Sequence, residues 1–139
     1  MDTQDDYNYR AALADFERAR RQAGLQQTLA RLRGESSQLL TYEEVRKQLK
    51  VMGMFDRGIK EIPLNAIVGS VGRSTDYTRN FMPIQDSDED RWARVKTAFL
   101  SMTGVPPIEV YQIGDAYFVR DGNHRVSVAR QLGLETIEA

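Results

Sequence analysis

A polar hexapeptide between a β-prone run and a helical pattern constrains this chain more than any other stretch. The hexapeptide, Arg120-Asp121-Gly122-Asn123-His124-Arg125, contains the only histidine of the 139 residues. The largely apolar residues 116–119 that precede it are typical of a short strand. Val126, Ala129 and Leu132 follow it at helical spacing and are succeeded by a glycine. The sequence therefore predicts a turn that joins a strand directly to a helix.

The start of a helix is a place where proteins bind anions. The first backbone N–H groups of a helix have no partner inside it, and the helix dipole adds positive potential there. Gly122 would let a ligand approach the backbone, Arg125 offers a planar set of donors for phosphate or carboxylate, and His124 offers one more. Asp121 could orient these side chains or hold a divalent metal. The alternative is a plain helix start with Asn123 as its N-cap and no ligand.

Composition excludes several kinds of site. The chain has no cysteine, so disulfides, thiolate zinc sites and cysteine nucleophiles are excluded, and a single histidine excludes a histidine-rich metal centre. The formal net charge of −1 gives no overall attraction to nucleic acid, although a local basic patch remains open. With 41% hydrophobic residues, the chain can bury the core of one domain. It contains no signal peptide and no membrane-spanning run, so we expect a cytoplasmic protein without a membrane partner.

Residues 1–57 are predicted to form a helical segment. Residues 5–33 are rich in Ala, Leu, Gln, Arg and Glu, and the apolar stripe shifts at Gly24, so we expect a kink or two helices there. The narrow, partly alanine stripe fits packing against the rest of the chain or against a second copy in a homodimer. A basic cluster indicates a solvated helix face, with nucleic-acid contact as the alternative. Its members are Arg18, Arg20, Arg21, Arg31 and Arg33.

A second helix is predicted in the same segment. Thr41-Tyr42-Glu43-Glu44 has the form of a capping box, apolar residues follow at helical spacing, and Gly53 marks the expected end. We expect this helical segment to pack on a mixed domain at residues 58–139 or to mediate its dimerisation.

The mixed domain begins with an expected strand and a glycine-rich loop. Residues 62–68 are typical of an edge strand, since they contain a proline. The loop that follows is Gly69-Ser70-Val71-Gly72-Arg73. Ser70 and the backbone could form a second wall of a phosphate site there, with Arg73 as its charge. The alternative is a glycine-rich loop without a ligand.

Two stretches before the hexapeptide carry polar side chains with more than one possible role. Residues 74–83 lack periodicity and are expected to cross the surface as a loop, where Tyr77 and Arg79 could line a pocket or only anchor the loop. Asp86-Ser87-Asp88-Glu89-Asp90 precedes a helical pattern, so we expect its carboxylates to cap that helix and complement its dipole rather than bind a metal. Trp92 in that helix is expected to lie in the core.

The last third of the chain predicts a hairpin, a helix and a final strand. Ile108 and Val110 alternate with polar residues, Gly114-Asp115 marks the turn, and residues 116–119 return. Residues 135–139 begin another strand, which indicates either a very short final strand or a shortened chain.

The order of these elements resembles a known domain. The strand from Ile62, the hairpin from Ile108, the DGNHR stretch and residues 128–139 together resemble the N-terminal domain of ParB-like proteins, within the ParB/sulfiredoxin superfamily. The resemblance covers about residues 59–139. It implies an α+β fold with a mixed sheet and packed helices, preceded here by the helical N-terminal segment.

What the resemblance implies is a nucleotide site at the junction. ParB proteins bind and hydrolyse CTP there, sulfiredoxins use ATP, and ParB-like serine kinases use ADP. By position, the phosphates of a Mg²⁺-nucleotide would contact Gly122, Asn123, His124 and Arg125. Asp121 would lie near the metal or the reacting group as the candidate catalytic residue. The resemblance thus favours a nucleotide-binding module with slow nucleotidase or phosphotransferase activity.

Departures from the family pattern limit this inference. Sulfiredoxins need a cysteine where this chain has Asn123, so their redox chemistry is excluded. Partition ParB proteins have a double arginine in place of His124-Arg125, and a helix-turn-helix domain that does not follow here, so sequence-specific DNA reading is not expected. One alternative is a DNA-associated or nuclease-type module without nucleotide turnover, with Arg73, Arg79 and the N-terminal arginines on DNA phosphates. Another is an interaction domain without a ligand. The sequence leaves open the base of the nucleotide, the acceptor of the phosphate and the oligomeric state.

Overall fold

Helices and strands follow one another along the chain, which a computed structural model describes at residues 3–34, 38–49, 55–72, 76–101 and 104–139. The helices in these residues are α1 (Thr3–Arg33), α2 (Tyr42–Leu49), α3 (Glu89–Phe99) and α4 (Asn123–Gln131). The strands are β1 (Leu40–Thr41), β2 (Glu61–Pro63), β3 (Ile67–Ser70), β4 (Glu109–Ile113), β5 (Ala116–Asp121) and β6 (Thr136–Glu138). Short 3₁₀ turns occupy residues 64–66 and 86–88. The fold is α+β with a mixed sheet and an N-terminal helix, as predicted.

The main sheet combines parallel and antiparallel strands. Its order is β1-β3-β5-β4, in which β1, β3 and β5 are parallel and β4 pairs with β5 as a hairpin. The register places Thr41 beside Ser70 and Ser70 beside Val119. The carboxyl ends of the three parallel strands therefore lie at one edge of the sheet, where α2 and α4 begin. In open sheets with parallel strands, ligands bind outside this edge.

A second, two-stranded sheet fixes the segment that precedes the hairpin. β2 pairs antiparallel with β6, with Ile62 opposite Ile137. On the other side of β6, Ile108 N donates a hydrogen bond to Glu138 O at 3.0 Å. The residues before β4 are thereby held close to the end of β5.

Two clusters of buried side chains form the core. One includes Ile67 and Val119 of the main sheet, and the other joins α1, α3 and α4 through Phe16, Trp92 and Val128. The rings of Phe16 and Trp92 meet edge to face with centroids 5.7 Å apart. Trp92 is fully buried, which confirms its predicted place in the core. The apolar stripe of α1 thus packs on α3 within the same chain.

Helix α1 is continuous through Gly24. It is one helix of 31 residues, and Thr28 Oγ1 donates to Gly24 O at 3.0 Å inside it. The predicted division into two helices is therefore wrong. A glycine inside a helix costs only about 1 kcal/mol relative to alanine. Ala19 and Ala23, which precede it, are fully buried in the cluster around Trp92. Their packing sustains the helix across this weak point.

The strands near the start of the mixed domain differ from the sequence prediction. Residues 62–68 form β2 and β3 around a 3₁₀ turn, not one strand. The proline that ends β2 removes an N–H donor, and the turn redirects the chain from one sheet to the other. β1 was not predicted, because two residues are too few to show an alternating pattern.

Within residues 76–83, only Arg79 and Asn80 are exposed, so most of this stretch is packed into the protein instead of crossing its surface. Tyr77 and Phe81 are fully buried, and Phe81 adopts a positive φ of 60°. Isolated bridges pair Thr78 with Gln38 and Tyr77 with Pro83. The backbone of this stretch is hydrogen-bonded at these bridges without forming a regular strand. Its buried residues therefore do not recur at a spacing that the sequence could reveal.

Helix α2 begins at Tyr42, directly after Thr41, as the capping box predicts. Thr41 Oγ1, however, is buried and has no hydrogen-bond partner in the described part of the chain. Thr41 is also the last residue of β1, and its pairing with Ser70 fixes its backbone and directs the side chain. The expected helix end at Gly53 lies outside the described residues. Of the helices described, none has the length and apolar character needed to cross a membrane.

Candidate functional site

The hexapeptide connects β5 to α4, and Gly122 is the N-cap of the helix. Gly122 has φ 116° and ψ 25°, and no side chain caps the helix. The first helical hydrogen bond runs from Val126 N to Gly122 O at 3.0 Å. The N–H groups of residues 123–125 precede this bond and have no acceptor within the helix. Asn123 is the first helical residue and not the N-cap.

Both space and conformation require glycine at position 122. A Cβ atom there would lie 2.5 Å from Ile108 Cγ2 and 3.2 Å from Arg125 Nε. The positive φ would also strain any residue with a Cβ atom. The start of α4 is therefore bare backbone, flanked by the residues that precede β4.

Ser70 and Asn123 join the ends of two parallel strands. Ser70 is fully buried at the end of β3, and its Oγ lies 3.0 Å from Asn123 Oδ1 and 3.3 Å from Val119 O. A serine hydroxyl has one proton, so it donates to one of these oxygens at a time. The glycine-rich loop and the hexapeptide thus meet at this edge of the sheet, and Ser70 orients Asn123 from beneath the backbone.

The side chain of His124 faces the protein interior. Its Nδ1 is hydrogen-bonded to Tyr77 OH, and the two rings meet edge to face with centroids 5.8 Å apart. Its Nε2 lies 3.9 Å from Asp88 Oδ1. The predicted pocket residue Tyr77 therefore reaches the junction through His124 and holds the imidazole below the start of α4.

Asp88 does not have the capping role predicted for the acidic run. It occupies the N-cap position of α3, yet its side chain makes no cap hydrogen bond. Its carboxylate instead lies next to His124, since α3 packs beside α4. Glu89 and Asp90 do lie in the first turn of α3, where negative charge complements the helix dipole.

The guanidinium of Arg125 holds three oxygens beside Gly122. Its Nη1 donates to Pro106 O at 2.8 Å and to Pro107 O at 2.9 Å, and its Nη2 donates to Asp121 Oδ2 at 3.2 Å. The side chain of Asp121 is 72% exposed, whereas that of Arg125 is 14% exposed. Arg125 therefore fastens the proline pair to the helix start and keeps one carboxylate at the mouth of the junction.

The other predicted arginines of the mixed domain have different surroundings. Arg79 Nε donates to Gln38 O at 3.2 Å, which ties its loop to the residues before β1. Arg73 lies outside the described residues. Arg120 is exposed, with its guanidinium 5.8 Å from the Tyr111 ring centroid. Arg79 is not hydrogen-bonded to the hexapeptide in the part of the chain that the structure describes.

The basic cluster on α1 is partly neutralised within the chain. Arg18 forms an ion pair with Asp15, and Arg20 pairs with Asp86 at 3.1 Å. These contacts agree with a solvated helix face, because both arginines are paired with carboxylates of the same chain.

The junction offers a magnesium ion one exposed carboxylate. Across the described ranges, no group of three or more acidic or histidine side chains could hold a metal ion. Magnesium is usually bound by one or two carboxylates together with substrate phosphates and water. Asp121 fits that kind of site, whereas Asp88 is turned towards His124.

Sequence reasoning missed the residues that shape the junction from elsewhere in the chain. These are Ile108 beside Gly122, the carbonyls of Pro106 and Pro107 on Arg125, and Asp88 beside His124. The proline pair was an available signal, because proline favours an extended backbone at its own position and at the residue before it. The carbonyl groups of both prolines remain available as acceptors. No signal distinguished Asp88 from the other acids of its run.

A known protein structure is similar to part of this chain. No protein-family model and no curated protein sequence matches the chain. A crystal structure of sulfiredoxin from Arabidopsis thaliana is similar over 58% of this chain and 80% of that chain, with 23% sequence identity and a TM-score of 0.44.

Proposed function

We propose that the chain is a ParB-like nucleotide-binding module of the cytoplasm, which holds the phosphates of a Mg²⁺-nucleotide at the start of α4. The observation that carries the proposal is the left-handed glycine N-cap at residue 122, which leaves the helix start without a capping side chain. It lies where the carboxyl ends of three parallel strands meet. The N–H groups of a helix start and the helix dipole together attract anions at such a point.

The phosphates would be held by backbone and by Arg125. The guanidinium of Arg125 donates to the exposed carboxylate of Asp121 at the same helix start. A phosphate oxygen can replace that carboxylate and leave the bonds to Pro106 and Pro107 intact. His124 would contact the phosphate through its backbone at the start of α4 and not through its ring, because the ring is held by Tyr77.

Asp121 would supply the protein ligand for magnesium and is the candidate catalytic residue. Once a phosphate replaces the Asp121 carboxylate on Arg125, that exposed carboxylate would be available to bind magnesium beside the phosphate. Bound magnesium would supply charge neutralisation, while the N–H groups and Arg125 orient the phosphates. Phosphoryl transfer depends mainly on such positioning and electrostatics, so we expect slow nucleotidase or phosphotransferase activity.

Nucleotide binding by the whole chain tests this function. Calorimetry and thermal unfolding with CTP, ATP and ADP, each with Mg²⁺, would compare the wild type with Arg125→Gln and with the control Arg94→Gln. Arg94 is an exposed arginine of α3 whose partner is Asp90. We expect at least one nucleotide to raise the unfolding midpoint of the wild type and of Arg94→Gln, because a ligand at about 100 times its Kd stabilises the native state by about 2.7 kcal/mol. Arg125→Gln should bind about tenfold more weakly or worse.

A second variant separates binding from folding, since Arg125 also fastens Pro106 and Pro107. Asp121→Asn changes only an exposed side chain and should remain folded while its nucleotide affinity loses most of its dependence on Mg²⁺. If no nucleotide raised the midpoint and duplex DNA did, the DNA-associated alternative would replace this proposal. If Arg94→Gln lost nucleotide affinity as much as Arg125→Gln, the junction would not be the site.

A further inference from the structure

A groove of about 790 Å³ lies at the opposite end of α4 from the junction. Its lining comes from α1, from the turn at residues 63–65, from residues 80 and 82, from the end of α4 and from residues 134–136. The junction is at Asn123 and the groove is at Arg130, roughly 10 Å further along the helix at 1.5 Å per residue. Ligand sites commonly have volumes of this order. The groove is therefore a second candidate site, independent of the nucleotide proposal.

We propose that this groove binds an extended peptide segment of a partner protein, with an acidic side chain flanked by aliphatic ones. Five carboxamides line the groove, those of Gln22, Gln26, Asn65, Asn80 and Gln131. Gln131 Oε1 accepts a hydrogen bond from Lys96 Nζ, whereas within the described ranges the other four side chains are not hydrogen-bonded to another residue. A carboxamide offers both a donor and an acceptor, as a peptide unit does. These four carboxamides can therefore donate hydrogen bonds to the C=O groups of an extended peptide and accept them from its N–H groups.

The charge of the groove selects an acidic side chain. Its charged lining residues are Arg18, Arg130 and Glu135, which leaves an excess of positive charge. Arg18 is 63% exposed, and its partner Asp15 is also bonded to Lys96, so its guanidinium can donate hydrogen bonds to another carboxylate. Arg130 has a different task, because its Nη2 donates to Leu64 O at 2.6 Å and to Ile67 O at 3.2 Å and so fixes the wall of the groove.

Exposed leucines on the α1 face that carries Arg18 and Gln22 favour aliphatic neighbours in the peptide. Leu25 and Leu29 follow Arg18 and Gln22 at spacings of four, three and four residues, which places all of them on one face of α1. Leu25 is 59% exposed and Leu29 is 40% exposed. Leu134, which lines the groove, is 46% exposed. Aliphatic side chains on either side of the acidic residue would cover these leucines and remove their surface from water.

The same lining argues against a single-stranded nucleic acid. Sequence-independent binding of single strands uses aromatic side chains on which bases stack, together with a strongly basic channel. None of the described residues that line the groove is aromatic, and the nearby Phe81 is fully buried with Arg130 over its ring at 5.8 Å. Carboxamides, a modest positive charge and exposed leucines match a peptide better than they match a chain of phosphates.

Selection from a phage-displayed library of random short peptides tests this proposal. The bait is the full chain, and the enriched peptides are then measured as synthetic peptides by fluorescence anisotropy. Arg18→Glu reverses the charge in the groove, and Arg31→Glu makes the same change at an exposed position of α1 that does not line it. We expect enriched peptides with Asp or Glu next to Leu, Ile or Val, and binding that falls about tenfold or more in Arg18→Glu but not in Arg31→Glu.

A second pair of variants guards against a change in folding. Arg18→Glu breaks the pair with Asp15, so Gln26→Ala and its neighbour Gln27→Ala test the carboxamide contacts without a change of charge. Gln26 lines the groove and Gln27 does not. Weaker peptide binding in Gln26→Ala than in Gln27→Ala supports the proposal. It is overturned if no sequence is enriched, if the peptides bind Arg18→Glu and Gln26→Ala as tightly as the wild type, or if oligothymidylate displaces them from the groove.

Discussion

Lys96 Nζ donates a hydrogen bond to Asp15 Oδ2 across the contact between α3 and α1. Both side chains are largely buried, and Lys96 also donates to Gln131 Oε1 at 2.7 Å, so one ammonium group connects three helices. Asp15 has a second partner in Arg18 at the surface. Removal of Asp15 therefore leaves Lys96 without its charged partner, whereas removal of Lys96 leaves Asp15 paired with Arg18.

Asp15→Asn should destabilise the protein more than Lys96→Met does. The first change leaves the buried ammonium of Lys96 without its counter-ion, which costs about 3 kcal/mol or more. The second replaces the ammonium by an apolar side chain of similar length, while Asp15 keeps Arg18, so we expect a loss of at most about 1 kcal/mol. Urea denaturation followed by circular dichroism measures both. Equal losses would show that the pair is solvated and not buried.

Gly122→Ala should be more harmful than the same change at another glycine with positive φ. Gly114 in the hairpin turn has φ 59°, and a Cβ atom added to it would have no neighbour within 4 Å. Its replacement by alanine therefore adds only backbone strain, about 1 to 2 kcal/mol. At Gly122 the new methyl group would also overlap Ile108, which adds about 1 to 3 kcal/mol. The free energies of unfolding of the two variants give the comparison. Similar values would mean that Ile108 moves aside without a loss in the free energy of unfolding.

The hydrogen bond from Tyr9 OH to Asp90 should stabilise the protein only over a limited range of pH. This bond, and then that of Arg94, hold the pKa of Asp90 below its usual value, and the bond to Asp90 raises the pKa of Tyr9. A lowered carboxyl pKa contributes stability above the unfolded value and loses it as the pH falls through the folded value. A raised tyrosine pKa contributes stability below the unfolded value and loses it as the pH rises through the folded value.

Tyr9→Phe should therefore be slightly less stable than the wild type between about pH 5 and pH 9, and the difference should vanish at both extremes. Thermal unfolding at a series of pH values checks this. Tyr7→Phe is the control, because Tyr7 is an exposed tyrosine of the same helix. A difference that stayed constant across the whole range would mean that the bond to Asp90 does not couple to ionisation.

Local patterns were enough to predict the junction but not its surroundings. The strand, the polar turn and α4 depend on residues close together in sequence, and the hairpin turn at Gly114 depends on two. The contact of Tyr77 with His124 and that of Ile108 with Gly122 depend on the path of the chain between them, which has no periodic signature. For the same reason, the sequence did not reveal that the ring of His124 is turned inwards.

The order of the strands also has a consequence for how the molecule assembles. β4, β5 and α4 are consecutive in the chain and contain the whole hexapeptide, so their contacts close short loops. The pairings of β1 with β3 and of β2 with β6, and the packing of α1 on α3, join residues much further apart, and such contacts form late in folding. We therefore expect the backbone of the proposed phosphate site to form within the first unit to fold. The groove proposed to bind a peptide is completed only when α1 docks, so partial detachment of that helix would remove the groove and leave the start of α4 in place.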